Sequence, residues 1–285
     1  MKFSAPSPLD YFATLVAEDD SLNLLEAAIS LAQDEYPQLD VQAVLDQVDA
    51  LARRLRERLA SETPPPERLR LLTRFFHGEL GFAGNLNNYY AADNSFIHRV
   101  LETRRGIPIT LAVLLLELGE QAGLRMAGVA FPGHFLVKCR IGLGEVVLDP
   151  FTGEALSHTR LDELLAVYRQ GSSLPDDMEL PLEFFLRAAT KRQILARMLR
   201  NLKEVHRAAR NWLRLLAVQQ RLVALLPDEA AERRDRGLVF ESLGADAAAA
   251  DDVAFYLAEC GDAPDAPALR ERLAALLERR QPPLQ

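Results

Sequence analysis

Imidazole, carboxylate and guanidinium groups in the middle third of the sequence are its best candidates for chemistry. His134 in PGHF and Asp149 in VVLDPF offer an imidazole and a carboxylate that together could bind a ligand or assist a proton transfer. The plainer reading of the same pair is a structural hydrogen bond. Arg104 and Arg105 stand just ahead of a helix start near residue 108, where guanidinium groups and free amides can converge on a carboxylate or phosphate. Alternatively, one of them pairs with Glu102, Asp93 or Asp149 to hold the loop. Asn87, Tyr89, Asn94 and Ser95 are candidates to line the same cleft, with loop capping by Asn and Ser as the other reading. His77, His98, His158 and His206 read as ordinary surface or packing residues. No two histidines have HxH or i, i+4 spacing, so neither a metal site nor a cofactor is expected. Cys139 and Cys260 are too far apart for a CxxC knuckle, and Cys260 reads as a small packed side chain.

These groups need elements to position them. Apolar residues recur at helical spacing from Leu9 to Leu59: Leu22, Leu25, Ala28 and Ile29 on one face, then Val41, Val44, Leu45, Val48 and Leu51 on another. Ser21 is the expected cap of the second helix, and Tyr36-Pro37 its expected end. Pro64-Pro65-Pro66 separates a third helix from a fourth carrying Leu69, Leu72, Phe75 and Phe76. The stretch HGELGFAGNLNNYYAADNS reads as a long ordered loop in which Phe82, Tyr89 and Tyr90 need packing partners. A helix over Phe96 to Thr103 follows, then an apolar one from about Pro108 to Ala122, apolar on nearly every side as a central buried helix must be. Met126–Phe131, Phe135–Arg140 and Glu145–Leu148 have the β-branched, alternating character of antiparallel strands. On that strand, Cys139 is five residues from His134, an odd separation that turns it to the opposite face.

From Arg187 the pattern is helical again, over Ile194–Val205, Trp212–Leu225, Ala230–Leu243, Ala247–Ala258 and Ala268–Leu277. LPDEAAERRDRG is loosely echoed by GDAPDAPALRERL at about 34 residues, the spacing of a degenerate helical-hairpin repeat. ERRDRG and RAARNWLRLL read as solvated helix faces, with Trp212, Leu213, Leu216 and Leu222 as core. The segment QGSSLPDDMELPLE, about residues 170 to 183, is the expected boundary, giving domains 1–170 and 184–285.

The chain has 285 residues, 49% hydrophobic and 26% charged, with a net charge of -8. That acidic balance argues against a nucleic-acid or anionic-membrane surface. The longest apolar run, Ile107 to Leu116, is too short to span a bilayer. With reduced thiols and no secretory leader in MKFSAPSPLDYF, a bacterial-type cytoplasmic protein is expected.

A buried helix, then a strand carrying His134, then a strand ending at Asp149 is the layout of papain-like thiol enzymes. The string RRGIPITLAVLLLELGEQAGLRMAGVAFPGHFLVK followed by VVLDPFTGEALS resembles the transglutaminase-like superfamily. More closely, it resembles the bacterial SirB-type branch, in which that domain is joined to C-terminal tetratricopeptide-like helices. The resemblance implies an α+β fold: a papain/transglutaminase-like domain of helices plus a small antiparallel sheet, followed by an all-α tetratricopeptide-like region. It also implies that the family's histidine and aspartate fall on His134 and Asp149, and its helix-start cysteine on Pro108. Proline suits a first helical turn but carries no nucleophile. Thr110, about 200 degrees around the helix from Pro108, should face away from that position. The expectation is therefore a pseudoenzyme acting through protein or peptide binding. The alternatives are an amide or peptide hydrolase or transferase using His134 and Asp149 with water or an unrecognised nucleophile, and a purely structural or regulatory scaffold.

Overall fold

The computed structural model describes residues 6–171 and 180–280, with the side chains of 170, 171 and 280 left aside. The middle of the expected boundary at 170–183 thus lies outside the described residues. The chain divides into two compact units. One holds residues 23–32 and 38–198, and the other residues 1–22, 33–37 and 199–285.

In the first unit, α2 (Leu24–Ser30), α3 (Val41–Arg56), α4 (Pro65–Thr73) and α5 (Ile97–Thr103) precede the central helix α6 (Pro108–Gln121). Nine of the fourteen residues of α6 are buried, including Leu111, Leu114, Leu115 and Leu118, each stabilising the fold by about 1.5–3 kcal/mol. The cap of α2 is Asn23, whose side chain accepts from the Glu26 amide, rather than the expected Ser21. Ser21 instead donates to the Glu18 carbonyl. The helix also stops at Ser30, well short of Tyr36-Pro37. The proline triplet marks the start of α4 after the end of α3: Pro64 is its N-cap and Pro65 and Pro66 occupy its first turn, where a missing amide proton costs nothing. Residues Arg74–Glu79 continue α4 as a π-helix.

The sheet has the order β3-β4-β5-β6 and is antiparallel throughout: β3 (Met126–Val129), β4 (Leu136–Ile141), β5 (Gly144–Leu148) and β6 (Ala155–Leu156). A separate parallel bridge joins β1 (Ala83–Gly84) to β2 (Arg105–Gly106). Met126 pairs with Cys139, and that face lies on α6, so close that a Cβ on Gly119 would sit 2.1 Å from the Met126 sulfur. The opposite face, with Val129, Leu136 and Val147, packs on Leu161 and Leu165 of α7 (His158–Gly171) and on Leu182 of α8 (Leu182–Phe185). Helix α7 had no counterpart in the sequence reading. Within the loop, Phe82 is buried, whereas Tyr89 is 43% and Tyr90 81% exposed; the two tyrosines meet edge to face instead of entering the core.

The second unit stacks α10 (Trp212–Leu225), α11 (Ala230–Ser242), α12 (Asp246–Glu259) and α13 (Ala266–Arg280) in sequence order, with α1 (Pro8–Leu15) on α10 and the end of α9 (Lys191–Ala208) included. The core of α10 is Leu215, Val218, Leu222 and Leu225, while Leu213 is 71% exposed rather than core. ERRDRG is not a solvated face. Glu232 is buried and binds Arg200 and Lys203, Arg234 reaches Asp265, and Arg236 makes a two-point pair with Asp252. Nor does His206 stand alone, since it lies 3.0 Å from Glu35. His158 is likewise paired with Asp162, one turn along its own helix.

Candidate functional site

Asp149 terminates β5 and closes its own turn. Its carboxylate accepts the Phe151 amide at 2.8 Å, its backbone carbonyl accepts the Gly153 amide, and its backbone amide donates to Glu154. A short carboxylate two residues ahead of an amide makes this Asx geometry locally, and Gly153, at φ +81°, supplies the left-handed residue that the turn requires.

That turn is fastened to the tip of α6. The Phe151 carbonyl accepts the Gly84 amide at 3.0 Å, and the Phe151 ring lies so close to Gly84 that an added Cβ would be 2.1 Å from it. Gly84 pairs with Gly106, two residues before Pro108, the first residue of α6. Asn94 secures the same tip, because its carbonyl accepts the Thr110 hydroxyl at 2.8 Å and the Ile107 amide at 3.4 Å. The Thr110 hydroxyl is thereby occupied and buried. Tyr89 completes the cluster with its ring 6.2 Å from that of Phe151. Asp149, Pro108, Asn94 and Tyr89 are thus joined through one network of backbone and ring contacts.

The other sequence candidates are placed differently. His134 precedes β4, its amide bonded to the Phe131 carbonyl. Continuing the Val137–Leu148 register by one residue sets Leu136 opposite Asp149, with His134 two residues further along the same side. Among the described residues no hydrogen bond or ion pair joins the imidazole to the carboxylate. One oxygen of the Asp149 carboxylate is instead taken by its own turn. Arg105 donates to the carbonyls of Gly81 and Arg104, bracing the loop, and has no acidic partner among the described residues. Arg104 is left-handed at φ 60° and ends α5. Its guanidinium lies 4.7 Å from the Phe82 ring, and its Nη1 is buried without a hydrogen bond. Burial, and secondarily the charge of Arg54, pull its pKa below the usual guanidinium value. Arg99, rather than either of them, pairs with Asp93 and Glu102. Asn94 is buried and its amide donates to the carbonyls of Asn88 and Tyr89, as loop capping requires. Ser95 is buried beside it, and Asn87 is exposed.

The imidazole that does meet the Asp149 turn is His77. Its Nδ1 lies 2.9 Å from the Phe82 carbonyl oxygen, so Nδ1 carries the proton and donates. A Cβ on Gly153 would be 2.7 Å from its ring. Burial lowers the His77 pKa, opposed by the Phe82 hydrogen bond and by the charge of Asp149. Sequence spacing gave no signal for this contact, since the residues are remote in the chain and the π-helical turn has no simple periodicity. Cys139 is fully buried, and burial pushes its thiol up to about 11. Among the described residues no group of three or more His, Cys, Asp or Glu could hold a metal ion. Nor is any described helix long and apolar enough to cross a membrane.

Known proteins share this architecture. The Transglutaminase-like superfamily matches residues 42–200, and the Tetratricopeptide repeat family matches residues 202–274. The chain is 35% identical over 241 residues to a UPF0162 protein of Xylella fastidiosa strain 9a5c, covering 84% of this chain and 85% of the relative. It is 28% identical to a UPF0162 protein of Vibrio cholerae, covering 90% and 93%. It is 25% identical to Protein SirB1 of Salmonella typhimurium, covering 84% and 87%. A crystal structure of menin superposes with a TM-score of only 0.38 at 12% identity, over 87% of this chain and 68% of that one, and carries no weight here. With the domain match spanning more than half its length and SirB1 among its relatives, the chain belongs to the transglutaminase-like superfamily, in the SirB-type branch that joins this domain to tetratricopeptide helices.

Proposed function

We propose that the protein is a non-catalytic, cytoplasmic member of this branch that works by binding a protein or peptide, with Pro108 standing where active relatives carry the nucleophilic cysteine. The observation carrying this reading is the helix tip itself: Pro108 is the first residue of α6, and a pyrrolidine ring offers neither thiol nor hydroxyl. The nearby Thr110 hydroxyl is bound to Asn94. Cys139 is buried in the sheet with its thiolate disfavoured, which argues against its serving as a substitute.

The tetratricopeptide region supplies a surface suited to a peptide. A groove of about 480 Å³ is lined by Trp212, Leu215 and Leu238, with Lys203 and Arg207 on one side and Glu241 on another. Apolar contact with flanking charges of both signs suits an extended peptide whose backbone and charged side chains both need partners. In the full-length chain, Trp212→Ala combined with Arg207→Glu should abolish recovery of the partner that the unaltered protein captures. Equal recovery by both would refute binding through this groove. For the helix tip, Pro108→Cys should give a thiol titrating well below the ordinary value of about 8.5. A thiol of ordinary pKa would mean that neither the helix end nor His134 acts on that position.

A second reading is hydrolysis or transfer at an amide, with His134 activating water and Asp149 assisting. It is favoured by one observation, that the His134 side chain takes no hydrogen bond among the described residues. His134→Ala would then end a measurable turnover while leaving the melting temperature unchanged.

A further inference from the structure

Beyond the Asp149 turn, a cavity of about 630 Å³ opens between α4 with its π-helical extension and strands β4, β5 and β6. That volume is in the range of small-molecule sites. None of the triad positions lines it. Its apolar wall comes from both sides: Leu69 from α4, Ile141 from β4, Val146 and Leu148 from β5, and Ala155 from β6. Its polar groups come from α4 and the π-helix, as Arg70, Thr73, Arg74 and His77.

Two features mark this as a ligand site rather than a packing gap. First, the π-helix Arg74–Glu79 carries Arg74 and His77, two of the four polar side chains that line the cavity. A π-turn is rare, costs hydrogen-bond geometry, and occurs disproportionately at functional sites. Here it is held by the Leu80 amide on the Phe75 carbonyl. Second, the charges are unbalanced. Arg70 and Arg74 have no ion-pair or hydrogen-bonded partner through their guanidinium groups among the described residues. Glu79 is paired with Arg58 and lies in the field of Arg74 and Arg54 as well, while Glu67 lines the adjoining surface with both arginines, so cations still outnumber acids here. In a chain of net charge -8 this is a local cationic surplus beside an apolar wall. His77 adds a fixed acceptor: with Nδ1–H spent on Phe82, the neutral ring presents Nε2 as a lone pair for a hydroxyl or amide proton.

We propose that this cavity binds an amphipathic monoanion, an alkyl or aryl carboxylate, with its apolar body against Leu69, Val146 and Leu148 and its charged head on Arg70 and Arg74. A dianionic phosphate sugar would gain nothing from the apolar wall, and a neutral lipid would leave both guanidinium groups unanswered. The same chemistry reaches the protein either as a free acid or as an acidic membrane lipid, and the proposal is the free acid.

The test titrates full-length protein with sodium decanoate, decanol and vesicles of phosphatidylglycerol, using calorimetry for the first two and sedimentation for the third. Decanoate should bind saturably at one site. Arg70→Gln with Arg74→Gln, both at exposed positions, should weaken decanoate by about tenfold and leave decanol unaffected. Ala155→Phe, an exposed position at the cavity mouth, should remove binding of both without changing the melting temperature. Absence of saturable decanoate binding would overturn the proposal. So would equal affinities in the arginine variant and the unaltered chain, or binding to vesicles alone.

Discussion

Gly84→Ala is the most direct probe of how the Asp149 turn is fastened to the helix tip. The added Cβ would lie 2.1–2.2 Å from three carbons of the Phe151 ring. Restoring an ordinary contact of 3.4 Å requires the ring to retreat by roughly 1.3 Å. Phe151 cannot move freely, because its amide is held by Asp149, its carbonyl by Gly84, and its ring is flanked by Tyr89. Overpacking of this kind costs about 1–3 kcal/mol. Against that, alanine stiffens the unfolded chain and returns about 0.4–1 kcal/mol, since Gly84 does not have a positive φ. Because Phe151 is only half-buried, the net loss should be about 1–2 kcal/mol, read as a lowered urea midpoint by circular dichroism. The decisive comparison is a cycle with Phe151→Leu, in which the smaller side chain makes room for the methyl group. Gly84→Ala should then cost almost nothing, giving a coupling of about 1–2 kcal/mol. If Gly84→Ala is neutral in the natural background, or costs the same in both, the ring does not rest on Gly84 and the link from Asp149 to Pro108 is not made this way.

Three further outcomes follow from the same coordinates. His77 and His98 both have pKa values lowered mainly by burial, so the unfolded chain takes up protons at these sites before the folded one does. Stability should therefore fall as pH drops below the unfolded value near 6.5, and His77→Gln should flatten that decline in melts run from pH 7.5 to 5.5. Glu232→Ala leaves Arg200 without its acid and Lys203 with only Asp235. Because Glu232 is buried, the loss should be about 2–4 kcal/mol in urea titration, against under about 0.5 for the exposed neighbour Glu229→Ala. Cys139, buried and pushed up to about 11, should resist a thiol reagent at pH 8 while the half-buried Cys260 reacts. Labelling of both at the same rate in native protein would contradict the burial of Cys139.

The helical and strand periods, the proline at the start of α6 and the strings GIPIT, PGHF and LDPF belong to local sequence, so the fold class and the family were legible from residue order. They are short-range properties: a buried helix must be apolar all round, and a strand must alternate. Which groups actually meet was decided only in three dimensions. The Asp149 carboxylate turned to its own Phe151 amide because a partner two residues away costs almost no chain entropy to engage, whereas His134 must be delivered across strands. His77 reached the same turn through a π-helical step that shifts side chains off the α-helical period. The ERRDRG run looked solvated because charge alone favours water. Packing of α11 on its neighbours brought opposite charges to Glu232, Arg234 and Arg236 and a ring to Arg233, and complementarity across helices is not written in the period of a single helix.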